Sequence, residues 1–270
     1  MISSVALFGL AACANDPLKP RICTVESGPE IAILPPSVGP AGIHRTEVTQ
    51  SHFADFVAQS GYVSLAERDD PEEPGVRLGS AVFQTPTLSA PGWWRLDRTA
   101  SWRRPTGTDE PAPDGLPRSD QPAVQIAYED ALAYAEWAGG RVPTLEEWRT
   151  AALAGEAWDH LTAPPETANT WQGTFPLRNA VADGFAERAP VGRFPPNAYG
   201  LHDMVGNAWE WTATPAGPDH GILAGGSFLC DVDFCRNGTP FGEQVQELDF
   251  SASHIGFRLV FDALPEACDA

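Results

Sequence analysis

The chain has 270 residues, of which 36 are acidic and 17 are basic, so its formal net charge is −19. A chain this acidic has no basic stripe to displace the counterions of nucleic acid, and an anionic membrane surface would repel it, so the charge disfavours both kinds of binding. Hydrophobic residues make up 43% of the chain, and nine tryptophans are present, so a sizeable core is expected and global disorder is excluded.

The first 13 residues have the features of an export signal. Residues 2–12 are apolar or small; they are too few to span a bilayer, but they match the hydrophobic region of a signal peptide. Residues 10–13 (LAAC) resemble the bacterial lipobox, which would make Cys13 a lipidated first residue, although no basic residue precedes the run. A plain secretory signal and a buried N-terminal strand are the alternatives. The lipobox predicts an exported lipoprotein of the bacterial cell envelope, periplasmic or outer-membrane anchored, with the lipid as its only membrane contact.

The segment that follows predicts a flexible connection and an oxidised protein. Residues 14–42 are Pro-rich and are expected to act as a tether. Four further cysteines follow Cys13, and export would allow them to oxidise. Cys23 and Cys268 lie near opposite ends of the chain, and termini are often close together, so they are candidates for a disulfide. This pairing would leave Cys230 and Cys235 as a second pair.

Three short helices are predicted in chain order. The first begins at Thr49, carries apolar residues at helical spacing and ends at Gly61. The second covers residues 128–138 and ends at a pair of glycines. A capping box formed by Thr144 and Glu147 begins the third.

The remaining stretches predict irregular structure. Residues 67–122 lack periodicity, but three tryptophans (Trp93, Trp94 and Trp102) predict that this stretch packs. Beyond Gly155 we expect short strands and turns. Strands and helices do not alternate, so a doubly wound parallel sheet is excluded.

Four motifs occur in a distinctive order along the second half of the chain. They are GGRVPTLEEW at 139–148, NAYGLHDMVGNAWEW at 197–211, GGS at 225–227 and GFR at 256–258. In this order they resemble the formylglycine-generating enzymes, sulfatase-modifying factors with a variant C-type-lectin-like fold. The resemblance covers about residues 44–260 and implies an α+β domain at 43–262 with little regular secondary structure, followed by a C-terminal tail at 263–270.

The resemblance leaves the activity to be decided by the site, because the family includes copper-dependent generators, iron-dependent sulfoxide synthases and inactive binding modules. Cys230 and Cys235 follow the GGS motif at the spacing of the generators. Thiolates are soft ligands that suit Cu(I). The resemblance therefore implies Cu(I) between these cysteines and O2-dependent oxidation of a cysteine in a protein or peptide substrate, such as a sulfatase, to Cα-formylglycine. Ser227 would orient oxygen or substrate, and Trp209 would lie beside the metal.

Two other functions stay open. The chain could be a non-catalytic lectin-like binding module in which Cys230 and Cys235 form a structural disulfide, or an oxidase that acts on another thiol substrate. Zinc is disfavoured because the C-x4-C pair has no second ligand pair nearby. Iron is disfavoured because none of the six histidines is spaced as part of a facial triad.

Two calcium sites are also implied by the resemblance. The first would use Asn169, Thr170, Asp183 and Phe185. The second would use Asp203, Gly206, Ala208 and Glu210. Oxygen ligands suit this hard cation, which can draw irregular backbone carbonyls together in a loop-rich fold.

The chain departs from the generators at several positions. Glu243 stands where they place an arginine in the substrate pocket, His254 replaces an asparagine, and Phe234 replaces a tyrosine. The N-terminal strand motif is absent or degenerate around residues 31–42. These departures predict a changed substrate preference more than a changed redox chemistry.

Overall fold

The computed structural model describes residues 20–26, 28–108, 118–156, 166–231 and 242–268. The helices are α1 (Gln50–Ser60), α2 (Tyr128–Ala138) and α3 (Leu145–Leu153). The strands of the first half are β1 (Arg21–Cys23), β2 (Ile31–Ile33), β3 (Gly42–His44), β4 (Ser80–Phe83) and β5 (Trp94–Asp97). Those of the second half are β6 (Gly173–Thr174), β7 (Arg178–Asn179), β8 (Trp209–Pro215), β9 (His220–Ala224), β10 (Glu243–Glu247), β11 (Ile255–Gly256) and β12 (Val260–Phe261). The α+β class with little regular structure is confirmed.

Two curled four-stranded sheets organise the molecule. The first has the order β1-β2-β3-β12 with antiparallel neighbours throughout, so the ends of the domain meet in one sheet. The second has the order β10-β9-β8-β11, in which β11 pairs with β8 in parallel. Separate hairpins are formed by β4 with β5 and by β6 with β7. Because β11 and β12 follow each other closely in the chain, they join the two sheets.

The three predicted helices are confirmed with their caps. The Thr49 hydroxyl accepts the backbone N–H of His52 at the start of α1, and Gly61 ends that helix in the left-handed conformation. Gly139 ends α2 in the same way. At the start of α3, Thr144 and Glu147 make the reciprocal hydrogen bonds of a capping box. Among the described residues, no helix is long and apolar enough to cross a bilayer.

The structure corrects the expected tether. Within residues 20–42, β1 and β2 pair with each other, and both Ile31 and Ala32 are fully buried. Cys23 of β1 and Ile31 and Ala32 of β2 are buried in the sheet, so this stretch belongs to the folded domain. Strands are therefore present where the N-terminal motif is degenerate. The expected export segment, residues 1–13 with Cys13, lies outside the described residues.

A disulfide closes the fold. Cys23 at the end of β1 is bonded to Cys268, as its position near the opposite end of the chain predicts. Glu266–Cys268 forms a short 3₁₀ turn, and Leu264 packs against the core. The described part of the expected C-terminal tail is thus held against the domain.

The irregular stretch before α2 packs as its tryptophans predict. Trp102 is 2% exposed and meets the ring of Phe53 with their centroids 5.2 Å apart. The sequence pattern did not indicate the β4–β5 hairpin, because strands of four residues carry little periodic signal. Its backbone bonds to residues 251–253 through Ala81, which brings Trp94 beside the second sheet.

Candidate active site

A cavity of about 220 Å³ is lined by residues of the second sheet, the β4–β5 hairpin and the turns between them. Its aromatic lining residues are Trp93, Trp94, Phe175, Trp209 and Phe250. Leu229 and four uncharged polar residues, Ser227, Gln244, Gln246 and His254, complete it. Two of the predicted catalytic residues, Ser227 and Trp209, therefore share one cavity.

The GGS motif forms a tight turn that sets Ser227 beside Cys230. Both side chains are fully buried, and the Ser227 Oγ lies 3.9 Å from the Cys230 Sγ. The Cys230 backbone N–H donates to the Ser227 carbonyl at 2.9 Å. Gly225 has a φ of +94°, and a Cβ there would lie 2.9 Å from the ring of Trp148. The turn therefore needs glycine at that position to place the serine and the cysteine together.

Cys230 is disulfide-bonded in this structure. Cys235, the other cysteine of the predicted copper pair, lies outside the described residues, as does Phe234. A disulfide sulfur is not a thiolate, so a soft metal could bind at Cys230 only after reduction.

Trp209 lies on β8 at the cavity wall. Its side chain is fully buried, and its Nε1 has no hydrogen-bond partner among the described residues. The Nε1 of Trp211, two residues further along the strand, donates to the Ile126 carbonyl at 2.9 Å. The two tryptophans thus differ: the Trp211 N–H is bonded within the fold, whereas the buried Trp209 N–H has no partner among the described residues.

His254 forms another part of the wall. It is 6% exposed, and its ring lies against that of Trp94 with the centroids 4.8 Å apart. Burial, together with the positive charge of Arg188, lowers the pKa of His254 to about 3. Its backbone carbonyl accepts the Trp209 N–H at 2.8 Å, so the two side chains are held on neighbouring strand ends.

The structure corrects the expected place of Glu243. Side chains alternate along β10, and it is Gln244 and Gln246 that face the cavity. The Glu243 carboxylate points the other way; it is 51% exposed and pairs with Arg149 at 2.7 Å. The spacing from Cys235 predicts Glu243 in the pocket, but the alternation of side chains along β10 directs Glu243 to the opposite face.

At the first predicted calcium site, the Asp183 carboxylate holds two backbone segments together. Asp183 accepts backbone N–H groups from Thr170 at 3.0 Å and from Phe185 at 2.9 Å. Asn169 is 1% exposed, and its Oδ1 has no hydrogen-bond partner among the described residues. The four predicted residues are therefore brought together, and one buried amide oxygen is left for a hard cation.

The second predicted calcium site is built differently from the expectation. Both oxygens of Glu210 are occupied, by the Arg258 guanidinium at 2.7 Å and by the Trp148 Nε1 at 2.7 Å. Asp203 has one oxygen bound to the Gly192 N–H at 2.6 Å, and its other oxygen has no partner in the described part of the chain. Glu210 is thus a partner of Arg258 in this structure, and only Asp203 retains an unpaired oxygen.

Nothing in the sequence pattern singles out Glu47, yet it lies in the same buried acidic group. Its Oε1 accepts the Asn207 side-chain amide at 2.9 Å, and its Oε2 has no partner among the described residues. Burial and the nearby Asp203 carboxylate raise the pKa of Glu47. Among the described residues, no group of three or more His, Cys, Asp or Glu side chains is arranged as a metal site.

Comparisons with known proteins agree with the motif order. A family model described as the sulfatase-modifying factor enzyme 1-like domain matches residues 36–263. The formylglycine-generating enzyme of Mycobacterium tuberculosis is 39% identical over 264 residues, which cover 82% of this chain and 87% of that protein. The inactive Cα-formylglycine-generating enzyme 2 of Mus musculus is 35% identical over 248 residues, covering 84% and 77%.

A solved structure shares the fold. PvdO from Pseudomonas aeruginosa superposes with a TM-score of 0.59 and 21% identity, covering 89% of this chain and 98% of that one. At this identity the likeness shows the fold alone, and it fits the C-type-lectin-like architecture expected from the motifs.

Proposed function

Because the chain belongs to the formylglycine-generating enzyme family of sulfatase-modifying factors, we propose that it oxidises a cysteine of a protein or peptide substrate to Cα-formylglycine. The observation that supports this most is the position of Ser227, which lines a small, largely aromatic cavity and has its hydroxyl 3.9 Å from the Cys230 sulfur. A sulfatase is the natural class of substrate.

The chain's own residues would bind and orient the substrate cysteine. Five aromatic side chains line the cavity, and polar contacts made in such apolar surroundings are stronger than contacts made in water. Ser227, with its hydroxyl 3.9 Å from the Cys230 sulfur, can donate to a group bound beside that sulfur. Trp209 lines the same cavity, and its buried Nε1 has no hydrogen-bond partner among the described residues.

The donor set fits Cu(I) once it is reduced. Cys230 is buried and carries a soft sulfur ligand, and Cys235 would supply the second thiolate. Copper bound there would supply the means to activate O2. In the net reaction the Cβ–SH group loses two hydrogens and water replaces its sulfur, which leaves as hydrogen sulfide. O2 accepts these two electrons, and two more from a thiol reductant, and ends as water.

Metal binding gives the first test. The reduced protein is expected to bind one equivalent of Cu(I), and Cys230→Ser and Cys235→Ser should each abolish tight binding, because one thiolate cannot form a two-coordinate site. The double variant Cys23→Ser/Cys268→Ser is the matched control and should keep the site. Equal Cu(I) affinity in the wild type and both single variants would contradict the proposal.

Turnover gives the second test. The copper-loaded protein, a thiol reductant and air should convert a C-x-P-x-R peptide to an aldehyde, detected by hydrazide capture and mass spectrometry. Since Glu243 points away from the cavity, Glu243→Arg should leave the rate unchanged. A rate that rises only in this variant would restore the pocket role first assigned to Glu243.

The disulfide of Cys230 and the 35% identity to a relative named inactive favour a second candidate, a binding module with a structural disulfide. The copper titration separates the two, because a structural disulfide protected from reductant binds no Cu(I). The third alternative, oxidation of another thiol, would appear as oxygen uptake without peptide turnover.

We further propose that the protein is exported and lipid-anchored at Cys13. The disulfide between Cys23 and Cys268 supports an oxidising compartment. Metabolic labelling with an alkyne fatty acid should mark the wild type and not Cys13→Ala; equal labelling of both would contradict the anchor.

A further inference from the structure

Gln125 is a buried polar residue held in an uncommon backbone conformation. Its side chain is fully buried, and its φ of +63° lies in the left-handed region that residues other than glycine seldom adopt. Such a conformation persists only where the surrounding contacts require it. Gln125 is not one of the described residues that line the cavity of Ser227 and Trp209, so its role follows from the contacts that its side chain makes.

The Gln125 side-chain amide bonds three segments of the chain to one another. Its Nε2 donates to the carbonyl of Pro105 at 2.6 Å and to that of Ala81 at 3.3 Å. Its Oε1 accepts the hydroxyl of Ser80, which also bonds to the hydroxyl of Ser251. The amide thus links the start of β4, the chain that leaves β5 and the segment that follows β10.

Two of these segments supply part of the cavity wall. β4 pairs with β5, and β5 carries Trp94, which lines the cavity. The Ala81 carbonyl on β4 accepts the Ser253 N–H at 3.0 Å. Ser253 lies in the segment between two further cavity residues, Phe250 and His254. The contacts of Gln125 therefore fix the hairpin against the segment with which it shares the wall.

The hairpin needs such an attachment. β4 and β5 form a two-stranded sheet of their own, and an isolated two-stranded hairpin is only marginally stable in water. If Gln125 lost its amide, the buried carbonyl of Pro105 would lose its donor, and an unpaired polar group is costly in a buried position. A shift of the hairpin would relieve that cost, and Trp94 would move with it.

We propose that Gln125 is a positioning residue for the reaction: its side-chain amide fixes the β4–β5 hairpin so that Trp93 and Trp94 stay in the wall of the cavity. The importance of this wall for turnover rests on the proposed function, whereas the placement of the hairpin does not. Gln125 lies outside the cavity and therefore acts only through the residues that it holds.

The test follows the two tryptophans directly, without copper or substrate. The full-length protein is labelled with fluorotryptophan, and the fluorine NMR resonances of Trp93 and Trp94 are identified from Trp93→Phe and Trp94→Phe. Gln125→Met keeps an unbranched side chain of similar length and removes the amide, so both resonances should shift or broaden. The resonance of Trp148, whose Nε1 donates to Glu210 at 2.7 Å, should stay in place.

A matched control separates this effect from the general loss of a buried amide. Gln121 is 2% exposed and its Nε2 donates to the Arg188 carbonyl at 2.9 Å, so Gln121→Met removes a buried glutamine amide outside the hairpin. It should leave the two resonances unchanged. Ser80→Ala removes only the hydroxyl that Gln125 accepts and should move the same resonances less. This variant decides the question if Gln125→Met does not fold.

Turnover supplies the second readout. In the peptide assay Gln125→Met should raise KM about tenfold, as the loss of one good contact does, and should leave kcat close to the wild-type value. Gln121→Met should change neither constant. The proposal is overturned if the two resonances or KM keep their wild-type values in Gln125→Met, or in Ser80→Ala where that variant replaces it. If the wild type forms no aldehyde, the proposed oxidation fails, and the NMR result alone decides whether Gln125 places the hairpin.

Discussion

At the scale of single residues, the pair formed by Glu210 and Arg258 dominates the interior. Arg258 is fully buried; it holds both oxygens of Glu210 and donates to the backbone carbonyls of His44, Arg45 and His202. The Arg258 side chain thereby links Glu210 on β8 to the end of β3 and to the turn at His202. Both residues belong to recognisable sequence motifs, but their ion pair forms only in the tertiary structure.

Breaking this pair should be costly. Arg258→Met leaves the Glu210 carboxylate buried without its counter-charge, so the free energy of unfolding should fall by about 3–5 kcal/mol in urea titrations. The double variant Arg258→Met/Glu210→Met should lose less than the sum of the two single variants, because neither charge is then stranded. Asp262→Asn, which removes a 68%-exposed partner of Arg141, is the control and should cost under about 1 kcal/mol. A loss in Arg258→Met no larger than this control would contradict a stabilising role.

Residue identity could be read from the sequence, whereas side-chain direction could not. Ser227 and Trp209 meet at the cavity as the motifs imply, but Glu243 points outward while its neighbour Gln244 points in. The pleat of β10 decides this, and a shift of one residue exchanges the two faces of a strand. His254 could be recognised only as a departure from the family, since its neutral state depends on burial that the sequence does not reveal.

At the scale of elements, local signals decide what can be predicted. The helices could be predicted from caps such as Thr49 and Gly61, because a cap is a local interaction of a few residues. The strands are two to seven residues long and pair with distant partners, so they carry little signal of their own. For the same reason β1 and β2 looked like a tether.

The start of α2 should make stability depend on pH. Asp130 is fully buried there and accepts hydrogen bonds from the Ala127 and Leu65 N–H groups and the Tyr62 hydroxyl. Burial raises the pKa of Asp130 to about 6, against about 3.9 for an unfolded chain. The folded state then binds the proton more tightly, so this contribution is full below about pH 4 and is lost as the pH rises through 6.

Asp130→Asn removes that titration. The difference in unfolding free energy between wild type and variant should move against the wild type by up to about 3 kcal/mol between pH 4 and pH 7. Urea titrations at several pH values measure it, and comparison with the variant cancels the other buried acids. A difference that is flat with pH would show that the carboxylate is already ionised in the folded protein at pH 4.

The loop that carries Asn169 and Asp183 provides a test for calcium. A ligand that binds only the folded state adds RT ln(1 + [L]/Kd), about 2.7 kcal/mol at a hundredfold excess over Kd. Calcium should therefore raise the melting temperature and a chelator should lower it. Asp183→Ala should reduce this calcium-dependent increment, whereas Asp249→Asn, an exposed acid elsewhere, should retain it. Identical melting curves in calcium and chelator would contradict both predicted sites.

At the scale of the whole molecule, one covalent bond joins the two ends of the domain. Cys23 and Cys268 are 245 residues apart in the chain, yet their Cα atoms lie 5.2 Å apart. In the chain-entropy account, closing so long a loop restricts the unfolded state and stabilises the protein by up to about 5 kcal/mol. Cys23→Ser/Cys268→Ser should lower the unfolding free energy by an amount approaching this, measured without reductant. A variant as stable as the wild type would show that the disulfide does not stabilise the folded protein.

The same bond determines how the domain would respond to a mechanical load. Force applied to the chain ahead of Cys23 and behind Cys268 passes along β1 and through two sulfur atoms, and it bypasses every later strand of both sheets. Pulled between its ends in an optical trap, the oxidised protein should not lengthen, whereas reduction should release the contour of 245 residues, about 880 Å at roughly 3.6 Å each. A domain hung from a surface by either end would thus keep its shape under tension for as long as its surroundings stay oxidising.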